Sequence, residues 1–179
     1  MRKIVEYCLV SADGIVLDDP FPFRDYYDEP YLQDSLALFN ECDAMLFGRT
    51  TYNRFAKIYG GGGGNPAYAG RLNAIRKYVF SSQLETAEWN NSTIVRGDVA
   101  AEVAKLKQRD CGDLLILGHG LLGEMLLKQR LLDVLNLGIH PVLVDRGKPL
   151  FREGQAVKLK LAATKSFSKI VKVSYEPQY

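Results

Sequence analysis

Leu114-Leu115-Ile116-Leu117-Gly118-His119-Gly120-Leu121-Leu122-Gly123 reads as an apolar strand that turns on glycines straight into a helix running to Lys128. A four-residue apolar run bounded by turn residues suits a strand buried on both faces, the kind found in parallel sheets. A helix start presents unpaired N–H groups and the positive end of the helix dipole, so the turn between them is a ready phosphate site. The turn spells GxGxxG in the strand-to-helix context that a dinucleotide site requires. The same spelling also suits a glycine turn that only packs helix on strand.

The segments around this stretch alternate between strand and helix. Lys3 to Val10 reads as a strand running into the Ser11-Ala12-Asp13-Gly14 turn. Leu32, Ser35, Leu36 and Phe39 recur at helical spacing over Tyr31 to Asn40, and Ala44 to Phe47 is a short apolar strand. Thr50 reads as the N-cap of a helix through Tyr52, Phe55 and Ile58, stopped by Gly60 to Gly64, an expected surface loop. Lys77 to Ser81 and Ser92 to Val95 read as strands, followed by a helix capped by Asp98 with Val99, Val103 and Leu106 inward. After Lys128 only strands follow: Val134 to Ile139, then Val157 to Ala163 and Ile170 to Tyr175, which flank Lys165 to Ser168 as a hairpin. The pattern predicts one domain over residues 1–179, a mostly parallel sheet with helices on both faces and an antiparallel C-terminal edge. A Rossmann domain is not expected, because the 56 residues that follow Gly123 hold no further clear helix.

Composition narrows the function. A net charge of +2 with interspersed acids gives no field suited to nucleic acid or an anionic membrane, and no run approaches the ~20 apolar residues of a membrane span. A cytoplasmic protein is expected. Cys8, Cys42 and Cys111 are odd in number and far apart, which argues against a disulfide framework, and with His119 and His140 the only histidines no metal site is expected.

Two further turns complement the first. Gly48-Arg49-Thr50-Thr51 supplies a guanidinium and two hydroxyls at a helix start, and Ser81-Ser82-Gln83 supplies two hydroxyls after a strand. Each also has a plain reading, as a capped helix and a simple turn.

In this order, the three turns resemble the dihydrofolate reductase superfamily. The likeness is strongest to the branch related to the C-terminal reductase domain of bacterial riboflavin biosynthesis deaminase/reductase, through Gly118-His119-Gly120, Leu131-Leu132-Asp133, Pro141-Val142-Leu143 and Gly147-Lys148-Pro149-Leu150-Phe151. The resemblance implies a dihydrofolate-reductase-like three-layer α/β/α fold and an NADPH-dependent oxidoreductase acting on a small heterocyclic molecule, similar to 5-amino-6-(5-phosphoribosylamino)uracil reductase. Alternatives are a dihydrofolate or pterin reductase and a non-catalytic nucleotide-binding module. It implies a cofactor held by Ser11, Gly14, Gly48, Arg49, Thr50, Thr51, Ser81, Ser82, Leu117, Gly118, His119, Gly120, Leu121 and Leu122. The His119 side chain stands where many relatives carry a second glycine, and is read as adding a contact to the cofactor, or else as pointing to solvent.

The proton needed beside hydride transfer is less legible. By resemblance the nearest carboxylate is Asp34, about two positions out of register; Asp13, Asp25, Tyr31 and water are other candidates. Phe21, Phe23, Tyr26 and Tyr27, within Asp18 to Tyr31, could stack on a flat ring or form a packed loop or subunit contact. The HxE and PCxxC deaminase signatures are lacking, so a stand-alone reductase is expected. The strands after Leu131 have no covering helix, which predicts a homodimer.

Overall fold

The protein is described by a computed structural model at residues 2–17, 25–109, 111–151 and 156–179. The strands are β1 (Ile4–Ser11), β2 (Cys42–Gly48), β3 (Arg76–Phe80), β4 (Ser92–Val95), β5 (Asp113–Leu117), β6 (Val134–His140), β7 (Lys158–Ser166) and β8 (Val171–Gln178). The helices are α1 (Glu29–Glu41), α2 (Arg49–Tyr59), α3 (Pro66–Ala74), α4 (Val99–Lys107) and α5 (Leu121–Lys128). All eight strands form one sheet in the order β4-β3-β2-β5-β1-β6-β8-β7. The pairings from β4 through to β6 are parallel, whereas β8 runs antiparallel to both β6 and β7.

The period-2 alternation of β1 decides which layer each residue enters. Ile4, Cys8 and Val10 pack with Val103 and Leu106 of α4 and Leu126 and Leu127 of α5. Tyr7 points the other way, into a cluster with Tyr31 and Phe39 of α1, Tyr52 of α2 and Leu72 of α3. The sheet is thus sandwiched between α4 and α5 on one face and α1, α2 and α3 on the other, the three-layer α/β/α arrangement expected.

Three details differ from the sequence reading. The N-cap of α2 is Gly48, which provides no side-chain cap, and Thr50 lies inside the first turn; β2 runs directly into the helix and leaves no residue for a separate cap. The glycine tract leads into α3, a helix missing from the sequence reading. Asn65 caps it by accepting from the N–H groups of Ala67 and Tyr68, and Pro66 opens it. These start signals were present in the sequence but followed a tract read only as loop. The final hairpin is displaced, turning at Phe167 to Ile170, where the Phe167 N–H donates to the Ile170 carbonyl. Asp28 draws this turn onto α1: its carboxylate caps the helix at the Tyr31 N–H and also accepts from the Ser168 N–H and hydroxyl.

Candidate active site

Strand register brings the three turns side by side. Gly48 pairs with Phe80, and Leu46 pairs with Ile116, so Gly48 and Gly118 lie level with each other and next to Ser81. Leu117 pairs with Tyr7, and the Gly118 N–H donates to the Tyr7 carbonyl at 2.8 Å. Gly48–Thr51, Ser81–Ser82 and Gly118–Leu122 therefore share one edge, at the carboxyl ends of β2, β3 and β5, where open α/β sheets place their ligands.

The glycines of the third turn do separate work. Gly118 has φ +77, a conformation that side chains other than glycine rarely adopt. Gly120, the extended N-cap of α5, has open space where a Cβ would stand, so a ligand can approach its backbone. A Cβ on Gly123 would lie 2.6 Å from Oε2 of Glu6 and 2.9 Å from Nδ1 of His119. That glycine makes room for a buried pair. His119 Nδ1 is 2.5 Å from Glu6 Oε1, with the two side chains 1% and 0% exposed. The His119 side chain turns inward to Glu6, neither to solvent nor out of the turn, so only its backbone is presented at this edge. Glu6, which in sequence only interrupts an apolar strand, anchors the turn from beneath.

The serine turn is braced by a residue that sequence reasoning missed. Ser81 Oγ accepts from the N–H of Leu84, and the exposed Arg96 guanidinium donates to the carbonyls of Ser81, Ser82 and Leu84 at 3.2, 2.9 and 2.8 Å. Arg96 lies just past β4, with no motif to mark it. The β4–β3 pairing carries it to this edge, so the serine turn has a cation beside it.

The first loop is held by its own atoms. Ser11 is buried, and its hydroxyl accepts from the Ile15 N–H. Gly14 sits at φ +79, and its carbonyl accepts from the Leu150 N–H. Asp13 accepts from the N–H groups of Val144 and Asp145; hydrogen bonding, first from Ser11 and then from these amides, lowers its pKa.

Beside the glycine turn lies a cavity of about 110 Å³. One water needs roughly 10–15 Å³, so this space suits a single ring system and is far too small for a dinucleotide. Its walls include Tyr7, Tyr27, Tyr31, Phe55, Leu117 and Gly118, with Arg54 the charged residue among the described lining. Tyr27 stacks on Tyr31 with ring centres 5.2 Å apart. Tyr26 and Tyr27 both meet the buried His140 edge-on, and burial lowers the pKa of that histidine. Of the aromatic loop expected to face a flat ligand, Phe21 and Phe23 lie outside the described residues.

Asp34 does not line the cavity. Its carboxylate accepts from Lys172 at 2.6 Å and from Lys165. Burial works to raise its pKa, but the hydrogen bonds and charges of the two lysines outweigh it and hold the carboxyl below its usual value. An ionised carboxylate between two ammonium groups is a poor proton donor. Asp25 contributes its backbone carbonyl to Lys169. Of the earlier candidates, Tyr31 is the one that reaches the cavity. Among the described residues no group of three or more histidine, cysteine or acidic side chains could hold a metal, and no helix is long and apolar enough to cross a membrane.

The three-layer α/β/α sheet, of the dihydrofolate-reductase type, carries three turns along one strand edge with an aromatic cavity beside them. Residues 2–173 match the RibD C-terminal domain, and the chain belongs to that family. It is similar to two uncharacterized proteins of Bacillus subtilis, YyaP (27% identical, covering 92% of this chain and 84% of that protein) and YwjB (25%, covering 97% of each). Its fold is similar to a putative riboflavin biosynthesis protein from Shewanella (TM-score 0.73, 18% identity, all of both chains). A pyrimidine reductase-like protein from Corynebacterium diphtheriae also shares the fold (TM-score 0.71, 12% identity, 99% and 92% of the two chains).

Proposed function

We propose that the protein is an NADPH-dependent reductase of a small planar heterocyclic or carbonyl compound, similar to 5-amino-6-(5-phosphoribosylamino)uracil reductase and acting in the cytoplasm. One observation carries the reading: Leu117 and Gly118 belong both to the glycine turn and to the wall of the aromatic cavity. A cofactor gripped at that turn therefore borders the space that admits a ring.

The residues present fit a dinucleotide. The first N–H groups of α2 and α5 suit the pyrophosphate. Gly118 and Gly120 leave the backbone bare where it must approach closely, and Leu121, 74% exposed, offers an apolar surface at the same edge. Arg49, Thr50 and Thr51 with Ser81, Ser82 and Arg96 make a polar, cationic patch, which supports NADPH over NADH because a guanidinium suits the extra phosphate. Ser11 and Gly14 would border the nicotinamide through their backbone. When bound, the cofactor supplies the hydride. The cavity walls hold the acceptor ring and keep water from it.

The edge strand β7 is unpaired on its outer side among the described residues, and Leu161 and Val171 of the last hairpin are 57% and 42% exposed. These features support a homodimer that covers the edge.

The test is a thermal melt and a fluorescence titration with NADPH and NADH, followed by NADPH oxidation assays with pterins, uracil riboflavin precursors and aromatic carbonyls. Saturable NADPH binding is expected, weakened at least tenfold by Arg49→Ala, with turnover on one of these classes. Binding with no turnover on any class would point to a non-catalytic nucleotide-binding module. A melt unmoved by millimolar cofactor would defeat the reading altogether.

A further inference from the structure

Asp34 is held by two lysines away from the cavity, whereas the cavity wall itself holds a pair of phenols. Tyr7 of β1 and Tyr31 of α1 meet there with their hydroxyl oxygens 2.5 Å apart, and both side chains are buried. The pair stands over Gly138 of β6, where a Cβ would lie 3.2 Å from the Tyr7 hydroxyl and 3.5 Å from that of Tyr31. Gly138 pairs with Leu9, two positions short of the Ser11–His140 pair at the strand ends, so the hydroxyls sit just beneath the ligand edge. Tyr31 is clamped between Tyr27, stacked on it, and Phe167, edge-on at 5.4 Å. Behind Tyr7 the Lys172 ammonium lies 5.4 Å from the ring centre and is itself fixed to Asp34.

We infer that the Tyr31 hydroxyl protonates the reduced acceptor and that Tyr7 returns the proton to Tyr31. The inference rests on the reductase reading above. As the hydride and its electron pair bond to the carbon of a C=N or C=O group, the π pair moves onto nitrogen or oxygen. That atom forms its new bond to the Tyr31 proton. Tyr31 recovers a proton from Tyr7, and the negative charge comes to rest as the Tyr7 phenolate beside Lys172. Solvent restores that proton once the product has left, and the cofactor leaves oxidised.

A phenol suits the task because it keeps its proton at neutral pH, and burial raises the pKa of both tyrosines further. The nascent alkoxide or amide anion is a stronger base still, so transfer runs downhill. Asp34 here is a positioning residue, holding the cation that steadies the relay.

The experiment uses Tyr31→Phe and Tyr7→Phe of the full chain, with 7,8-dihydropterin, 5-amino-6-(5-phosphoribosylamino)uracil and 4-nitrobenzaldehyde as acceptors. Three quantities are read: kcat and KM, the solvent deuterium isotope effect on kcat, and the NADPH dissociation constant by fluorescence. On an acceptor that the wild type reduces, Tyr31→Phe is expected to lower kcat about 100-fold or more. KM and NADPH affinity should stay within threefold, and the solvent isotope effect should rise. Tyr7→Phe should lower kcat about tenfold with the same unchanged binding. Turnover within fivefold of wild type in Tyr31→Phe overturns the relay and leaves the reductase reading standing. So does a kcat loss that comes only with lost NADPH binding in both variants. Absence of any wild-type turnover on the three acceptors overturns reading and relay together.

Discussion

Gly123→Ala tests whether the third glycine of the motif is there for packing. The added Cβ would stand 2.6 Å from Glu6 Oε2 and 2.9 Å from His119 Nδ1, several tenths of an ångström inside ordinary contact. Neither group can withdraw, since both side chains are at most 1% exposed and they hold each other at 2.5 Å. Overpacking a tight interior costs about 1–3 kcal/mol. Against this, alanine gains up to about 1 kcal/mol over glycine inside a helix. The net expectation is a loss of about 2 kcal/mol, which for a protein of this size lowers Tm by roughly 4–8 °C. Gly70 of α3 supplies the control, because a Cβ there meets nothing within 4 Å. Gly70→Ala should stabilise by about 0.5–1 kcal/mol. Calorimetric melts of the two variants beside wild type decide the matter. A Gly123→Ala protein that melts at or above wild type would refute the packing argument, because the helix gain would then exceed any clash. NADPH binding should also weaken in Gly123→Ala, since a displaced His119 moves the backbone of the turn.

Lys77 gives a pH-dependent prediction. It is fully buried, donates to the carbonyls of Ile75 and Asn90, and burial pulls its pKa down to about 8, below the ordinary 10.5. The cost of burying the charge is fully present below pH 8 and is relieved as pH rises, because the unfolded chain then holds a proton that the folded chain has released. Stability from this group should climb by about 1 kcal/mol between pH 8 and 9, at most about 1.4 kcal/mol per pH unit. Above pH 9 it is opposed by Cys42, whose thiol burial pushes up to about 12, and above 10 by the buried tyrosines. Urea titrations across this window should show the climb in wild type and its loss in Lys77→Met; equal slopes would exclude it. The proposed homodimer predicts twice the chain mass in sedimentation equilibrium, and a charge placed on the exposed edge by Leu161→Lys should shift the mass toward monomer. A wild-type monomer at micromolar concentration would remove that proposal.

Most of the fold was legible because parallel sheets announce themselves by short apolar strands alternating with capped helices. β5 and α5, with the glycine turn between them, are examples. α3 was not, although Asn65 and Pro66 mark its start, because nine residues after a glycine tract show little apolar periodicity. The three turns were legible for the same local reason: each lies within one strand-to-helix or strand-to-loop connection. The rest of the candidate site joins residues far apart in sequence. Tyr7 reaches Tyr31 across 24 residues, Glu6 reaches His119 across 113, and Lys172 reaches Asp34 across 138.

The sequence alone therefore determined the sheet class, the three turns and the resemblance that the family match supports, since each depends on periodicity and on neighbours along the chain. Only the tertiary structure decided that His119 faces inward, that Asp34 is occupied by lysines, that Arg96 braces the serine turn, and that two tyrosine hydroxyls share the cavity. The physical reason is that burial and pairing belong to strand order. β1 lies between β5 and β6, and that placement brings Glu6 beneath one turn and Tyr7 beside another helix.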